Sequence, residues 1–359
     1  MVMDYMKETK DISAEEAIIL WQASRLSLSK SYEKAPEILK VHSSVIGTLG
    51  NFSASIGKAK SKKTFNVSAI VAAALKNGTV LRYVAELPED KRKVLYVDTE
   101  QSPYHCLKVM TRILRMAGLP DDRDNENLEF LALRKYTPEQ RIRIVEQAIY
   151  NTPNIGLVII DGIRDMVYDI NSPGESTRII SKLMQWTDDR QIHIHTILHQ
   201  NKGDENARGH IGTELNNKAE TVLLVEKDKG NGDISHVSAI HIRAMDFEPF
   251  AFRINDKALP ELMEGYKPEA KKPGRPEEEK FDPYRHITEQ HRIALEAAFG
   301  LKEEYGYKEL EDALIKIYMS VGVKLNHKKA VSLITMLRNK RMIVQENGRK
   351  YTFMPDFHY

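Results

Sequence analysis

The segment NFSASIGKAKSKKTFNVSAIVAAAL, residues 51–75, decides the fold of this chain. It predicts a strand over residues 51–55, a lysine-rich loop over 57–63 and a helix over about 64–75. The octet GKAKSKKT fits the pattern G-x-x-x-x-G-K-[ST] except at the second glycine, which is replaced by Lys62. In such a loop, backbone N–H groups and the helix N-terminus bind phosphate. The residues predicted to bind a nucleotide are Gly57, Lys58, Ala59, Lys60, Ser61, Lys62, Lys63, Thr64 and Phe65.

Two side chains of this loop have distinct expected roles. The Lys63 ammonium would reach the β- and γ-phosphates, and the Thr64 hydroxyl would bind Mg²⁺. Lys62 stands where a glycine ordinarily lets the backbone approach the phosphates closely, so it must adopt a permissive conformation or the site is altered. Taken by itself, the octet also fits a solvated, lysine-rich turn.

Strands alternate with helices along most of the chain, which predicts βαβ units and a mostly parallel α/β sheet. The continuous apolar run over residues 156–160 is typical of a strand covered on both faces. Beyond Asp228 the pattern becomes strand–turn–strand, which predicts an antiparallel edge. The predicted strands cover residues 41–49, 51–55, 94–98, 128–133, 156–161, 193–198, 221–225, 237–243 and 250–254, and the predicted helices cover about 12–28, 64–75, 103–117, 138–150 and 175–189.

Polar residues follow several of these strands at their carboxyl ends. Asp161 ends a buried strand, which suits a Mg²⁺ ligand, although an aspartate there can also cap the next turn. Glu100 follows the strand VLYVD and suits a base for an attacking water, or else it is a solvated loop acid. Gln200 follows the strand that begins at His193. Because α/β folds bind ligands at this edge of the sheet, we expect these side chains to meet.

The C-terminal third has a different composition. Residues 265–283 combine four prolines, two glycines and many charges, which is typical of a linker. Beyond it, helices near 288–299, 308–320 and 326–340 and a hairpin over 342–353 predict a winged helix-turn-helix. The expected divisions are a helical arm at 1–40, an ATPase domain at 41–262, a linker at 263–285 and a winged-helix-like domain at 286–359.

The predicted winged-helix-like domain is locally basic. Residues 313–350 contain nine Lys or Arg and a single acid, Glu346. Such an excess predicts contacts with nucleic-acid phosphates, although the same face also suits a small interaction domain whose charges are merely solvated. The residues expected to bind DNA are Lys328, Lys329, Arg338, Arg349 and Lys350.

The bulk composition limits the class of protein to which this chain can belong. The chain has 359 residues, 42% of them hydrophobic and 29% charged, with a net charge of +2, so it is an ordinary globular protein overall. A single cysteine, Cys106, excludes an internal disulfide framework, and neither a signal peptide nor an apolar membrane span is visible. We expect a cytoplasmic protein that does not bind membranes. His193, His195 and His199 lie close together on one strand, but a structural role is expected rather than metal binding.

The motifs at residues 57–64, Glu100 and Asp161, with the order of elements over residues 41–256, resemble the RecA-like ATPase core of hexameric replicative helicases of the DnaB-like and plasmid RepA-like type. The resemblance implies a RecA-like P-loop core that uses ATP and Mg²⁺. It assigns Lys63 and Thr64 to the Walker A motif, Asp161 to Walker B, Glu100 to the catalytic glutamate and Gln200 to the γ-phosphate sensor.

The same resemblance extends to the later strands. The segment RGHIGT over residues 208–213 is similar to a loop of that family, and His241 and Arg243 fall where it keeps an inter-subunit basic pair. Arg243 is therefore the candidate arginine finger, with an exposed strand arginine as the alternative. The resemblance implies a homo-oligomer, with a hexamer as the helicase form. In addition, the segment GTLGNFSASIGKAKSKKTF is similar to segments of ATPases of bacterial mobile elements.

Two functions follow from these patterns. The first is an ATP-dependent, DNA-acting ATPase, a helicase-like motor or switch in the replication or mobilisation of a genetic element. The second is a DNA-binding regulator whose P-loop domain binds nucleotide without productive hydrolysis, which Lys62 motivates. A metabolite kinase fits less well because no motif for binding an acceptor is visible.

Overall fold

The computed structural model describes residues 12–200, 209–266, 283, 288–320, 322–346 and 350–355. The chain divides into two compact units, residues 1–268 and 269–359. The strands described in the first unit are β1 Glu37–Val41, β2 Ser44–Thr48, β3 Phe52–Gly57, β4 Thr79–Val80, β5 Tyr83–Ala85, β6 Lys93–Asp98, β7 Leu128–Ala132, β8 Ile155–Asp161, β9 His193–His199, β10 Thr221–Lys227, β11 Ile234–Ile242, β12 Phe250–Ile254 and β13 Pro260–Leu262. Its α-helices are α1 Ala14–Ala23, α2 Lys63–Lys76, α3 Pro103–Ala117, α4 Pro138–Asn151, α5 Pro173–Arg190 and α6 Gly209–Lys218.

A nine-stranded sheet forms the centre of the first unit, in the order β13-β12-β11-β10-β3-β9-β8-β6-β7. The strands from β10 to β7 in this order are parallel, whereas β11, β12 and β13 add an antiparallel edge. Every residue of β8 is buried, as expected when helices cover both faces of a parallel sheet. The predicted α/β class with a mostly parallel sheet is confirmed.

Helix α2 runs from the phosphate loop into the core on one face of this sheet. Residues 66–75 are all buried, because α2 lies between the central sheet and a second, four-stranded sheet of order β2-β1-β5-β4. Helix α3 packs beside it through Val109 and Ile113. On the opposite face, α4, α5 and α6 bury a separate core around Trp186. The phosphate loop is thus anchored by an unusually buried helix.

The sequence pattern predicted one strand over residues 41–49, and this prediction is wrong. The segment forms the second half of a hairpin in which β1 pairs antiparallel with β2. The chain reverses at His42, whose φ of 54° lies in the left-handed region that favours glycine. No glycine or Asn-Gly pair marks this turn, so the pattern of apolar residues predicted one uninterrupted strand.

Helix α1 is shorter than the predicted helix over residues 12–28. The Ser13 hydroxyl accepts a hydrogen bond from the Glu16 backbone N–H at 3.1 Å, so Ser13 is the N-cap of this helix. None of its residues is buried, and Ile19 and Trp21 are largely exposed.

A chain of buried hydrogen bonds crosses from β9 to β3. His193 Nδ1 lies 2.9 Å from the carbonyl of Thr48, so it donates, and His193 Nε2 accepts from Ser53 Oγ at 2.7 Å. Ser53 Oγ then accepts from His195 Nδ1 at 2.7 Å, and His195 Nε2 accepts from Ser55 Oγ at 2.8 Å. Burial lowers the pKa of both histidines, that of His195 to about 3. These histidines are neutral structural groups.

The second unit contains the helices and hairpin expected from its sequence. They are α7 Thr288–Leu301, α8 Tyr307–Ser320, α9 His327–Asn339, β14 Ile343–Glu346 and β15 Lys350–Phe353. The α9 side chains Leu333, Ile334 and Leu337 are buried and pack with Leu310, Leu314 and Tyr351 in a small core. Asn326 caps α9 by accepting a hydrogen bond from the backbone N–H of Lys329 at 3.0 Å.

Candidate functional site

A cavity of about 300 Å³ opens at the carboxyl ends of β6, β8 and β9, next to the start of α2. Its lining includes Lys60, Ser61, Lys62, Lys63, Thr64, Phe65, Glu100, Gln101, Arg112, Asp161, Arg164 and His199. The loop and two strand-end acids predicted from separate parts of the sequence therefore face one space. Gly57, Lys58 and Ala59 precede these loop residues in the chain and are not part of the lining.

Asp161 is the buried acid of the cavity. Its Oδ2 accepts hydrogen bonds from Thr64 Oγ1 at 3.1 Å and from the Tyr96 hydroxyl at 3.0 Å. Burial, together with the negative charge of Asp98, raises the pKa of Asp161 to about 7. A cation placed beside Asp161 would relieve this unfavourable burial of negative charge.

Lys63 points into its own loop. Its ammonium donates to the carbonyls of Gly57 at 2.8 Å and Lys58 at 2.9 Å, and it lies 3.0 Å from His199 Nδ1. Burial lowers the pKa of Lys63 to about 8, while the charges of Asp161 and Glu100 act in the opposite direction. A buried ammonium at the mouth of a loop is well placed to exchange these carbonyls for phosphate oxygens.

Glu100 extends from the turn after β6 into the cavity. Its backbone N–H donates to Asp98 Oδ1 at 3.0 Å, and Asp98 Oδ1 also accepts from the N–H of Gln101 at 2.7 Å. Burial, with the nearby charges of Asp165 and Asp98, raises the pKa of the Glu100 carboxyl. A raised pKa strengthens a carboxylate as a proton acceptor, which suits a general base.

His199 is a site residue that the sequence interpretation passed over in favour of Gln200. His199 Nδ1 faces the Lys63 ammonium, and its Nε2 lies 3.8 Å from Glu100 Oε1. His199 thus bridges the lysine and the glutamate of the cavity. Gln200 is buried next to it, where its backbone N–H donates to the Gly57 carbonyl at 3.1 Å. The sequence feature that could have indicated His199 is its place as the last residue of β9, at the carboxyl end of a parallel strand.

Lys62 takes up the conformation that its position demands. It lies at the N-terminus of α2 with φ 68° and ψ 28°, in the left-handed region. Its side chain leaves the loop and donates a hydrogen bond to the carbonyl of Asp233. Lys62 therefore adopts the left-handed backbone conformation that the motif's second glycine would adopt freely.

Arg112 and Phe65 form a further pair at the cavity wall. The guanidinium carbon of Arg112, on α3, lies 3.7 Å from the centre of the Phe65 ring, within the range of a cation–π interaction. Arg112 adds a positive charge to the lining, and no sequence motif pointed to it.

Arg243 lies at the opposite end of the sheet from the cavity. The β11 strand starts beside the phosphate loop, where Ser235 Oγ donates to the Ser61 carbonyl at 3.3 Å. Eight residues later, at about 3.4 Å per residue, the strand has run roughly 27 Å. There Arg243 donates to the Lys218 carbonyl at 3.2 Å. Arg243 does not reach the cavity of its own chain.

The residues present fit a magnesium–nucleotide complex. The Thr64 hydroxyl and the Asp161 carboxylate are adjacent oxygen donors, the type of ligand that Mg²⁺ takes in proteins. In the described part of the chain, no group of three or more His, Cys, Asp or Glu side chains is arranged to hold a metal ion by itself. Two protein oxygens suffice for Mg²⁺ when phosphate oxygens complete its coordination, and the ion then neutralises phosphate charge.

The second unit displays part of the predicted basic surface. Lys328 and Arg338 are exposed on α9, and Lys329 is partly buried. Lys350 forms an ion pair with Glu304 at 2.8 Å, which raises the pKa of Lys350 and offsets its charge. Arg349 and Arg208 lie outside the described residues. Residues 209–213, which were expected to belong to a loop, form the start of α6.

Comparison with known proteins finds a matching family model and a similar solved structure. The family model of the AAA domain matches residues 33–205, somewhat less than half of the chain, and this stretch encloses the loop, Glu100, Asp161 and His199. The crystal structure of the RadB recombinase is similar with a TM-score of 0.41 and 15% identity, covering 58% of this chain and 90% of that one. No curated protein gives a match.

Within the described residues, no helix is long and apolar enough to cross a membrane.

Proposed function

We propose that this chain is an ATP-hydrolysing motor or switch that acts on DNA, in the replication or mobilisation of a genetic element. The observation that carries the proposal is the convergence of Thr64, Asp161, Lys63 and Glu100 on one cavity. Together they supply oxygen ligands for Mg²⁺, a cation for the phosphates and a base for the attacking water. This combination favours ATP hydrolysis over simple binding.

The second unit supports the choice of DNA as substrate. Three helices and a hairpin around one core suit a winged helix-turn-helix, with α9 as the recognition helix. The exposed cations Lys328 and Arg338 would contact phosphates on either side of the base edges.

An oligomer would complete the site. Since Arg243 does not reach the cavity of its own chain, a catalytic role for it requires a neighbouring copy. A guanidinium supplied from a neighbour stabilises the charge that develops during phosphoryl transfer. We propose such a homo-oligomer, with a hexamer as the form that a helicase would take.

One observation favours the second candidate, a nucleotide-binding DNA regulator without productive hydrolysis. Lys63 is engaged by the carbonyls of its own loop, and a nucleotide that failed to displace them would bind without turnover. ATP turnover with and without DNA, measured on the wild-type chain, separates the two functions. Turnover that DNA increases is the expected result. Tight ATP binding with no turnover above that of a Lys63→Ala variant would favour the regulator.

A further inference from the structure

Neighbouring lysines of the phosphate loop point in opposite directions. The Lys63 ammonium turns inward to the carbonyls of Gly57 and Lys58, whereas the Lys62 ammonium turns outward to the carbonyl of Asp233. Asp233 ends the turn between β10 and β11, residues 228–233, which we name the β10–β11 turn. The sequence motif predicts the inward lysine, but nothing in it predicts the outward one.

A second hydrogen bond ties the adjoining loop residue to the same place. Ser235 Oγ, fully buried, donates to the Ser61 carbonyl at 3.3 Å. Gly57, at the other end of the loop, packs so closely on β10 that a Cβ there would lie 2.2 Å from the Val225 carbonyl. The loop therefore rests on β10 and on the start of β11.

The β10–β11 turn is itself well braced. Asp228 Oδ1 accepts hydrogen bonds from the backbone N–H groups of Gly230 at 2.8 Å and Asn231 at 2.7 Å, and Asp228 Oδ2 lies 2.9 Å from His236 Nε2. Asn231 Oδ1 in turn accepts from the Asp233 N–H at 3.0 Å. The carbonyl that receives the Lys62 ammonium is thus held in place by contacts that do not involve the loop.

The backbone of Lys62 explains why such a bond is useful. Its φ of 68° is one that a glycine adopts freely and that other residues hold only when their surroundings impose it. A lysine pays this conformational penalty, but its long side chain can reach a fixed acceptor outside the loop. A glycine would form the same backbone shape without any bond to the β10–β11 turn.

We propose that Lys62 is a positioning residue of the nucleotide site. Its ammonium, bonded to the Asp233 carbonyl, holds the phosphate loop in the shape that receives the phosphates, and it does not touch the nucleotide. The inference rests on the proposed function in one respect, namely that the loop binds ATP. It also explains how a chain without the second glycine keeps a usable loop.

The test compares three variants of the full chain, Lys62→Met, Lys62→Gly and Lys62→Arg. Lys62→Met keeps the backbone penalty and loses the bond, so its Kd for Mg·ATP should rise about tenfold with kcat unchanged. Lys62→Gly loses the hydrogen bond but also the backbone penalty, so its Kd for Mg·ATP should lie between those of Lys62→Met and the wild type. Lys62→Arg keeps a donor and should bind ATP nearly as the wild type does. Lys229→Met, in the exposed part of the β10–β11 turn, is the matched control.

Hydrogen exchange provides a readout that needs no nucleotide. In the nucleotide-free protein, amides of residues 58–62 should exchange faster in Lys62→Met than in the wild type, and at the wild-type rate in Lys229→Met. If Lys62 instead contacted a phosphate, hydrogen exchange would be unchanged in Lys62→Met and its kcat would fall. ATP affinity would then be weakened as much in Lys62→Gly as in Lys62→Met. That pattern would overturn the inference. Unchanged affinity and exchange in Lys62→Met would overturn it as well. A wild-type chain that binds no ATP would instead overturn the proposed function, and the exchange data would still report whether the bond braces the loop.

Discussion

Thr64 Oγ1 lies 3.1 Å from Asp161 Oδ2, although 97 positions separate the two residues in the chain. The contact joins the first turn of α2 to the carboxyl end of β8, and so brings the two proposed Mg²⁺ ligands side by side. Tyr96 donates to the same carboxylate oxygen from β6. Three elements, α2, β8 and β6, therefore meet at the Asp161 carboxylate.

Replacement of Lys63 should remove nearly all ATP turnover. Lys63→Ala removes the buried cation that would neutralise the β- and γ-phosphates, so we expect ATP turnover to fall by about 100-fold or more. The measurement is phosphate release at saturating Mg·ATP. Lys76→Ala, at the exposed end of the same helix, is the control and should retain wild-type turnover. Equal turnover in both variants would contradict the assigned role of Lys63.

Loss of the candidate base should separate binding from hydrolysis. Glu100→Gln keeps the shape of the side chain and removes its capacity to accept a proton, so kcat should fall by roughly 100- to 10,000-fold. Because the amide leaves the loop and the Mg²⁺ ligands in place, Kd for ATP should change less than threefold. Calorimetry and single-turnover hydrolysis measure the two quantities, with the exposed Glu126→Gln as control. A large loss of ATP affinity would argue against a role confined to catalysis.

Mixing experiments test whether Arg243 acts in a neighbouring copy. Arg243→Ala and Lys63→Ala should each be inactive, since one lacks the proposed finger and the other the phosphate-binding cation. In a mixed oligomer, an intact cavity of the first variant meets an intact arginine of the second, so partial activity should return. Turnover is measured against the ratio of the two variants. The absence of any recovery, in mixtures shown to co-assemble, would count against a role in trans.

Stability should decrease in mild acid because of the buried histidines. Burial holds the pKa of His195 at about 3, whereas an unfolded histidine titrates near 6.5, so below that pH the unfolded chain binds more protons. The folded state should therefore lose about 1.4 kcal/mol from this residue between pH 7.5 and pH 5.5, and the lowered pKa of His193 acts in the same direction.

Urea unfolding at the two pH values, followed by the buried Trp186 in a Trp21→Phe background, measures this loss. His195→Gln should show a smaller pH dependence, whatever its own stability. The exposed His105→Gln should behave as the wild type does. A pH dependence that is the same in His195→Gln and in the wild type would mean that His195 is not the group responsible.

The basic face of α9 should contribute to DNA affinity through phosphates. Lys328→Ala or Arg338→Ala should weaken binding of duplex DNA severalfold and reduce the slope of log K against log salt concentration by about one each. Fluorescence anisotropy over a range of salt concentrations measures both effects. Lys302→Ala is the control, because Lys302 is already paired with Glu309 at 2.8 Å. An unchanged salt dependence in the α9 variants would exclude phosphate contacts by these residues.

Much of the core was predictable because its signals are local. The loop over residues 57–64, the apolar run of β8 and the acids that follow β6 and β8 each lie within a few consecutive residues. The carboxyl ends of parallel strands meet at one edge, so placing Glu100 and Asp161 together needed only the class of the sheet. The hairpin of β1 and β2 was missed because its turn at His42 carries no local turn signal.

The sequence by itself determined the mostly parallel α/β class, the phosphate loop and the strand-end acids, because periodicity and motif spacing are properties of contiguous residues. Only the tertiary structure decided that His199 bridges Lys63 and Glu100, that Lys62 bonds to the Asp233 carbonyl, and that Arg243 lies remote from its own cavity. The physical reason is common to all three. Each depends on the packing and register of strands far apart in the chain, which no local pattern of residue types encodes.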